Sequence, residues 1–292
     1  MNKPDGGSGW ASYFLSQGYE CYIIDQTFRG RSFWAPANGP RQIFSVQSIQ
    51  GRFTAPELYR TWPQARLHTQ WPGSGTMGDP IFDAYFASTV PSVADETTQE
   101  TAVRDAGSQL LDQIGKPVIL VGHSQGGPMV WATADARPHL VHSVVAIEPA
   151  GPPFHETGAG NDSARAYGLT SVPLAYLPAV MDPADFKVQT IEPNSTDLVT
   201  CYTQVENAAP RQLVNLSKFP VLVVTSEASY HAQYDWCTVR FLRSAGVKTD
   251  HLELAKVGVH GNGHMMFLEK NSDDVAGAIA KWMHQHSTTG IS

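Results

Sequence analysis

The pentapeptide Gly122-His123-Ser124-Gln125-Gly126 constrains the fold of this chain more than any other sequence feature. It directly follows the apolar run PVILV (117–121) and directly precedes a helical stretch at about 127–137. A continuous apolar run of this kind is typical of a strand buried on both faces of a sheet. A serine flanked by small glycines in this setting is typical of a tight turn that holds the hydroxyl clear of the sheet. The segment therefore predicts a strand–turn–helix unit with Ser124 as a candidate nucleophile.

Apolar runs and helical patterns alternate along much of the remaining chain. Strands are predicted at 19–25, 117–121, 141–147, 221–225 and 250–257, and helices at 10–18, 94–115, 127–137, 234–244 and 273–284. Strands separated by helices pair in parallel through right-handed crossovers. The pattern predicts a single α/β domain over residues 1–292, with a mostly parallel sheet and helices on both faces.

Two long stretches interrupt this alternation, at about 32–93 and 152–218. Loops of such length inside a compact domain are usually functional or lid-like. Because open α/β sheets bind ligands at the carboxyl ends of their strands, we expect both insertions to form a lid there. Aromatic residues of the first insertion are expected either to line a substrate pocket or to pack the core of the lid: Phe33, Trp34, Phe53, Trp62, Trp71, Phe82, Tyr85 and Phe86.

Composition excludes several functional classes. Lys and Arg total 20 against 27 Asp and Glu, for a net charge of −7, and no basic run is present, so we expect no nucleic-acid partner. No stretch approaches the roughly 18 consecutive apolar residues of a membrane span.

The 3 cysteines lack zinc-site spacing and are predicted to be buried thiols, with a Cys201–Cys237 disulfide as the alternative in an exported chain. Residues 1–9 lack the apolar segment of a signal peptide, and localisation and oligomeric state stay open.

From about Trp10 to His284 the sequence resembles the α/β-hydrolase superfamily. In that family the nucleophile follows strand five, which makes 141–147 strand six, 221–225 strand seven and 250–257 strand eight. Residues 25–32 (DQTFRGRS) resemble the structural D-x-x-G-x-G-x-S turn after strand four, except that Phe28 stands where the first glycine is usual. The resemblance implies a Ser–acid–His triad that needs no metal or organic cofactor.

The resemblance places the catalytic base in the loop after strand eight. A serine hydroxyl needs a base to remove its proton, and the pKa of histidine suits this task. His264 precedes a stretch similar to the family's G-H-x-x-x-x-E sequence and is the favoured base. His260 is the alternative base, or a neighbour that supports His264 by hydrogen bonding. His123 is expected to be a packing residue or to line the pocket.

The acid of the triad has three candidates. Glu148 follows strand six, where an esterase subgroup of the superfamily carries a glutamate before a segment rich in Pro and Gly. A carboxylate at the end of a buried apolar strand is costly unless it is paired, which favours Glu148. Glu227 occupies the family's common position after strand seven, and Asp235 is the third candidate. The alternative for each is an exposed carboxylate that caps a helix.

These assignments imply a serine hydrolase that cleaves carboxylic esters of small molecules through an acyl-enzyme. Ser124 would attack the carbonyl, His264 would move the proton, Glu148 would orient the imidazole, and the backbone N–H of Gln125 would stabilise the oxyanion. The alternatives are a lyase or acyltransferase with the same triad, and a non-catalytic or inactive truncated protein.

The family's first three strands have no counterpart in this sequence before Trp10. Strand three is central in the family's sheet, and the loop after it supplies a second oxyanion donor. Loss of one such donor typically lowers the rate on the order of 10²–10³-fold. We therefore expect an N-terminally truncated chain whose activity in this form is open.

Overall fold

The computed structural model describes residues 2–156 and 165–287 of the 292-residue chain. Its α-helices are α1 (Trp10–Ser16), α2 (Val46–Ile49), α3 (Pro56–Tyr59), α4 (Pro80–Ala87), α5 (Glu96–Ile114), α6 (Gly126–Ala136), α7 (Asp235–Ser244) and α8 (Ser272–Ser287). Its strands are β1 (Arg41–Gln42), β2 (Ser92–Val93), β3 (Val118–His123), β4 (Val141–Ile147), β5 (Tyr176–Leu177), β6 (Val188–Ile191), β7 (Cys201–Gln204), β8 (Gln212–Leu213), β9 (Val221–Thr225) and β10 (Thr249–Glu253).

A parallel sheet with the strand order β10-β9-β4-β3 forms the centre of the molecule. The side chains of β4 and β9 are almost entirely buried, because helices cover both faces of the sheet. On one face Val144 and Val223 pack in a cluster with Trp131 of α6. On the other face Val145 packs in a cluster with Ile279 of α8. The predicted parallel sheet with helices on both faces is therefore confirmed.

The long helices begin and end close to the predicted residues. The Asp95 side chain accepts a hydrogen bond from Thr98 N at 2.7 Å and caps α5, and Gly115 ends that helix with a positive φ of 67°. An acceptor at the N-cap and a left-handed glycine after the last turn satisfy backbone groups that the helix itself leaves unpaired. None of the helices in the described ranges has the length and apolarity needed to cross a membrane.

The two strand predictions nearest the N-terminus need correction. Residues 19–25 form no strand, and Tyr22, Ile23 and Ile24 are 51%, 50% and 54% exposed. β3 lies at the edge of the central sheet. It is not fully buried on both faces as predicted, since Val121 is 48% exposed. A strand needs hydrogen-bonding neighbours, and within 2–156 and 165–287 none pairs with residues 19–25 or with the outer edge of β3. Apolar sequence alone did not decide burial.

The first insertion contains short helices that the sequence pattern did not resolve. Helices α2 and α4 surround a buried cluster that also includes Met265, from the loop after β10. Several aromatic residues that were expected to line a pocket or pack the lid core belong to this cluster: Phe53, Trp71, Phe82 and Tyr85. Trp62 donates its ring N–H to the carbonyl of Ala228 at 3.0 Å. These contacts attach the insertion to the loops at the carboxyl ends of the central strands.

The second insertion contains two antiparallel strand pairs, β5 with β8 and β6 with β7. A disulfide between Cys201 of β7 and Cys237 of α7 ties it to the core, with the two Cα atoms 5.3 Å apart. The prediction of three buried thiols is therefore wrong, because tertiary packing brings together two cysteines that are 36 residues apart in sequence. Cys21 is the remaining free cysteine.

Candidate active site

Ser124 lies in the turn between β3 and α6 and has a φ of 53°. This left-handed conformation is strained for a residue with a Cβ atom. Two backbone hydrogen bonds hold it, from Ser124 N to the Ile147 carbonyl at 3.0 Å and from Ala150 N to the Ser124 carbonyl at 2.8 Å. The end of the neighbouring strand β4 therefore fixes the strained turn that carries the candidate nucleophile.

Close backbone contacts explain two of the glycines around Ser124. A Cβ atom on Gly122 would lie 2.5 Å from the carbonyl oxygen of Gly126. A Cβ atom on Gly127 would lie 2.4 Å from Cβ of Pro149. Larger residues at either position would push α6 away from the sheet, so these glycines set how closely the helix follows the strand.

Gln125 is the N-cap residue of α6, and its backbone N–H has no acceptor in the part of the chain that the structure describes. The N-terminal end of a helix carries a partial positive charge. This N–H group is therefore available to a developing oxyanion next to Ser124. The Gln125 side chain is held on both sides, because its Nε2 donates to Gln99 at 2.6 Å and its Oε1 accepts from Arg29 at 3.0 Å.

Glu148 and His264 form a buried pair, with 2.5 Å between Glu148 Oε2 and His264 Nδ1. Their side chains are 0% and 1% exposed. Ser226 donates to Glu148 Oε1 through its backbone N–H at 2.8 Å and its hydroxyl at 2.5 Å, and Ser229 donates its hydroxyl to Oε2 at 2.7 Å. These donors satisfy a carboxylate that would otherwise be costly to bury. With its Nδ1–H directed to Glu148, the imidazole keeps a lone pair on Nε2 for use as a base.

Aromatic and charged neighbours set the protonation state of His264. Burial lowers the pKa of His264 well below its usual value, and the nearby His231 and Arg52 lower it further. The His231 ring stacks on the His264 ring at 4.8 Å with an angle of 5°, and Phe53 stacks at 5.3 Å. The neutral imidazole, which can accept a proton, is therefore the favoured form.

Tyr230 is a site residue that the sequence reasoning missed. Its hydroxyl lies 3.3 Å from His264 Nε2. Burial raises the pKa of Tyr230, while Arg52 and a hydrogen bond with the Ser124 side chain act in the opposite direction, and the phenol is neutral. No direct hydrogen bond joins Ser124 Oγ and His264 Nε2 among the described residues, and His264 Nε2 contacts the Tyr230 hydroxyl instead. Its position just after β9, at the carboxyl edge of the sheet, was the available signal.

His260 and Glu227, the alternative base and acid, bind each other rather than the Glu148–His264 pair. Glu227 Oε1 lies 3.1 Å from His260 Nδ1, and Glu227 Oε2 accepts from Gly261 N at 2.8 Å. The His260 side chain is 61% exposed. Glu227 therefore holds the loop before His264.

Asp235, the third candidate acid, is buried in a separate network. It accepts hydrogen bonds from Thr225 at 2.7 Å and His231 at 2.9 Å, and burial raises its pKa well above the usual value. His123 has a supporting contact, because its Nε2 donates to the backbone carbonyl of His264 at 2.9 Å. Asp235 and His123 therefore lie near the candidate base, and neither binds its Nδ1 or Nε2 atom.

Ligand atoms of His123, Glu148 and His264 lie within 4.8 Å of one another, which is close enough for the three side chains to share a cation. The Glu148 oxygens already accept hydrogen bonds from Ser226, Ser229 and His264, and His123 Nε2 faces a carbonyl oxygen. A cation would displace these bonds. The donor set fits a hydrogen-bonded acid–base pair better than a metal site.

Known proteins share sequence and fold with this chain. Residues 4–278 match the family model described as the alpha/beta hydrolase family. The chain is 43% identical over 286 residues to the "Probable secreted lipase phiG" of a fungal species (strain ATCC 74256), a match that covers 98% of this chain and 78% of that protein. The fold is similar to that of a solved novel bacterial esterase, with a TM-score of 0.52 and 21% identity, over 98% of this chain and 76% of that one.

Proposed function

The chain belongs to the alpha/beta hydrolase family and is lipase- or esterase-like, and within this family we propose that it hydrolyses carboxylic esters through an acyl-enzyme on Ser124. The observation that carries the proposal is the buried 2.5 Å bond between Glu148 and His264. A histidine oriented by a buried carboxylate, close to a serine in a strained turn, is the arrangement that activates a hydroxyl.

In the first half of the reaction, His264 Nε2 takes the proton of Ser124 as Oγ attacks the ester carbonyl carbon. The Glu148 carboxylate stabilises the imidazolium that forms, and the Gln125 backbone N–H donates to the oxyanion. When the tetrahedral intermediate collapses, the bond to the alcohol oxygen breaks and His264 returns the proton to that oxygen. The alcohol leaves, and the acyl group stays on Ser124.

In the second half, water attacks the acyl-enzyme while His264 removes its proton. Collapse releases the carboxylic acid and restores the Ser124 hydroxyl. An alcohol in place of water would make the same chain an acyltransferase. Product analysis with and without an added alcohol separates hydrolysis from transfer, and we expect the free acid as the main product in water.

We also propose that residues 1–292 form one catalytic domain, with the insertions at 32–93 and 152–218 as its lid. The stacking of Phe53 on His264 and the hydrogen bond from Trp62 to Ala228 support a lid that contacts the site.

An oxidising compartment is part of the proposal. Disulfides such as Cys201–Cys237 persist in secreted proteins and are rare in the cytosol, and the fungal relative is named as secreted. We expect replacement of both cysteines by alanine to lower the free energy of unfolding by about 3–4 kcal/mol, measured by urea denaturation. Cys21→Ala is the control, and a reducing agent should weaken this variant but not the double variant. Equal stability of the double variant and the control would contradict the disulfide.

Active-site labelling tests the central proposal. We expect a fluorophosphonate to label the purified chain on Ser124 alone, as mapped by peptide mass, and Ser124→Ala to abolish both the label and the hydrolysis of para-nitrophenyl butyrate. A folded protein that neither takes the label nor turns over the ester would contradict the proposal.

A further inference from the structure

We propose that Arg29 and Arg52 form an anion-binding subsite beside Ser124 that selects esters carrying a carboxylate. This inference rests on the proposed function and concerns which esters the same site accepts.

Arg29 reaches the residue next to the candidate nucleophile. Its guanidinium donates to Gln125 Oε1 at 3.0 Å and to Gln26 Oε1 at 3.4 Å. Both acceptors are neutral amides, and no carboxylate in the described ranges forms an ion pair with Arg29. The group is half-buried, and burial lowers the pKa of Arg29. A half-buried cation without a counterion gains from an anion that enters the site.

Arg52 lies near the candidate base. Its guanidinium carbon is 4.6 Å from the centre of the Tyr230 ring, whose hydroxyl contacts His264. The charge of Arg52 also lowers the pKa of His264. Arg52 is exposed and has no ion pair with any carboxylate that the structure describes. It is therefore free to meet a charged ligand.

An apolar cluster of the first insertion contains a neighbour of each arginine. Arg29 interacts electrostatically with Tyr85, and Arg52 directly precedes Phe53. Phe53 and Tyr85 belong to the same buried cluster, and Phe53 stacks on His264. A ligand with an apolar body and a terminal carboxylate would match these surroundings.

The chemistry of arginine favours a carboxylate as the selected group. The planar guanidinium presents a fork of donors that matches the two oxygens of a carboxylate. Elsewhere several arginines already have such partners, as Arg137 has Asp112 and Arg240 has Glu206. The whole chain has a net charge of −7, so attraction of an anion to the site has to come from local cations. A neutral acylglycerol carries no negative charge that could pair with Arg29 or Arg52.

Two pairs of esters test the selection and locate the carboxylate. Monomethyl adipate carries a carboxylate on its acyl part, and methyl hexanoate has a methyl group in its place. para-Acetoxybenzoate carries a carboxylate on its alcohol part, and para-tolyl acetate has a methyl group in its place. The readout is the ratio of kcat/KM for the anionic ester to kcat/KM for its neutral match, with enzyme concentration set by fluorophosphonate titration.

The variants are Arg29→Gln and Arg52→Gln, with Arg29→Lys and Arg52→Lys as versions that keep the charge. We expect at least one glutamine variant to lower the ratio about tenfold in one ester pair, and the lysine version to recover part of it, because a hydrogen bond between charged groups is of this strength. Lys248→Gln removes the same charge at the amino end of β10, remote from the carboxyl ends of the strands, and should leave the ratio unchanged.

The outcomes separate this inference from the proposed function. Normal labelling and turnover of neutral esters, with ratios that no arginine variant changes, would overturn the subsite and leave the proposed function intact. Absence of both labelling and turnover in folded protein would remove both. A selective fall in the ratio for one ester pair would support the subsite and show which part of the ester carries the charge.

Discussion

The hydroxyl oxygen of Tyr230 lies 3.3 Å from Nε2 of His264, the ring nitrogen that is not bound to Glu148. Since Nδ1–H is directed to the carboxylate, Nε2 accepts this hydrogen bond and the tyrosine donates it. The Ser124 side chain acts on the same hydroxyl and lowers the pKa of Tyr230. Tyr230 therefore bridges the two groups between which the proposed mechanism moves a proton.

We expect Tyr230→Phe to lower kcat about three- to tenfold with little change in KM, because the bridge that aligns Ser124 with His264 is lost and one hydrogen bond is of this strength. Steady-state kinetics on para-nitrophenyl butyrate measures the effect, and thermal unfolding checks the fold. Tyr202→Phe, in β7, is the matched control. A loss confined to KM would contradict an aligning role.

The choice between Glu148 and Glu227 as the acid is tested by replacing each with its amide. Glu148→Gln should lower kcat/KM about 10²- to 10⁴-fold, because the imidazolium loses its carboxylate and the tautomer of His264 is no longer enforced. Glu227→Gln should change kcat/KM less than about twofold, since Glu227 pairs with the exposed His260. The reverse ranking of the two variants would transfer the role of acid to Glu227.

The pH dependence of the reaction follows from the burial of His264. The base has to be unprotonated, and burial lowers the pKa of His264 below its usual value. Activity should therefore persist below the usual histidine pKa of about 6.5 and disappear only when the pH falls through the lowered value. The pH at which kcat/KM falls on the acid limb of its pH profile measures the pKa of His264. Phe53→Ala, which uncovers the ring, should move that limb to higher pH, and a wild-type limb above about 6.5 would refute the expectation.

A second buried histidine makes stability depend on pH in alkaline solution. His68 Nδ1 lies 2.7 Å from Glu57 Oε2, and its Nε2 lies 2.7 Å from Glu269 Oε1. Burial lowers the pKa of His68, but hydrogen bonds and charge from Glu269 and Glu57 outweigh it and raise the value to about 9. Because the folded pKa is raised, the stabilisation is complete below about pH 6.5 and is lost as pH rises through about 9.

The amount lost over this range is on the order of 3 kcal/mol. Urea unfolding of the wild type at about pH 6 and about pH 10 measures it against His68→Gln, which should lack this component. Glu57→Gln serves as a milder variant, because it removes one of the two carboxylates and leaves the fully buried Glu269 in place. Parallel pH profiles for all three proteins would show that the bridge does not contribute.

Local sequence was sufficient to predict most of the central sheet and its helices. Strands β4 and β9 were predicted to the residue, because both are rich in apolar residues and lie inside the sheet. The turn at Ser124 was predictable because two glycines make the close approach of strand and helix possible. Residues 19–25 are also rich in apolar side chains, but a strand forms only where a neighbouring strand pairs with it through hydrogen bonds.

For the candidate catalytic residues, too, the sequence predicted the positions along the chain, and the tertiary structure decided the side-chain partners. The family resemblance placed Ser124, Glu148 and His264 in segments that follow strands, and the sequence favoured Glu148 over Glu227 without showing which carboxylate meets the imidazole. The structure brings Glu148 to His264 across 116 residues of sequence. Tyr230 and the arginines escaped notice because their neighbours come from other segments. Sequence determines periodicity and local turns, whereas side-chain partners distant along the chain are decided by packing.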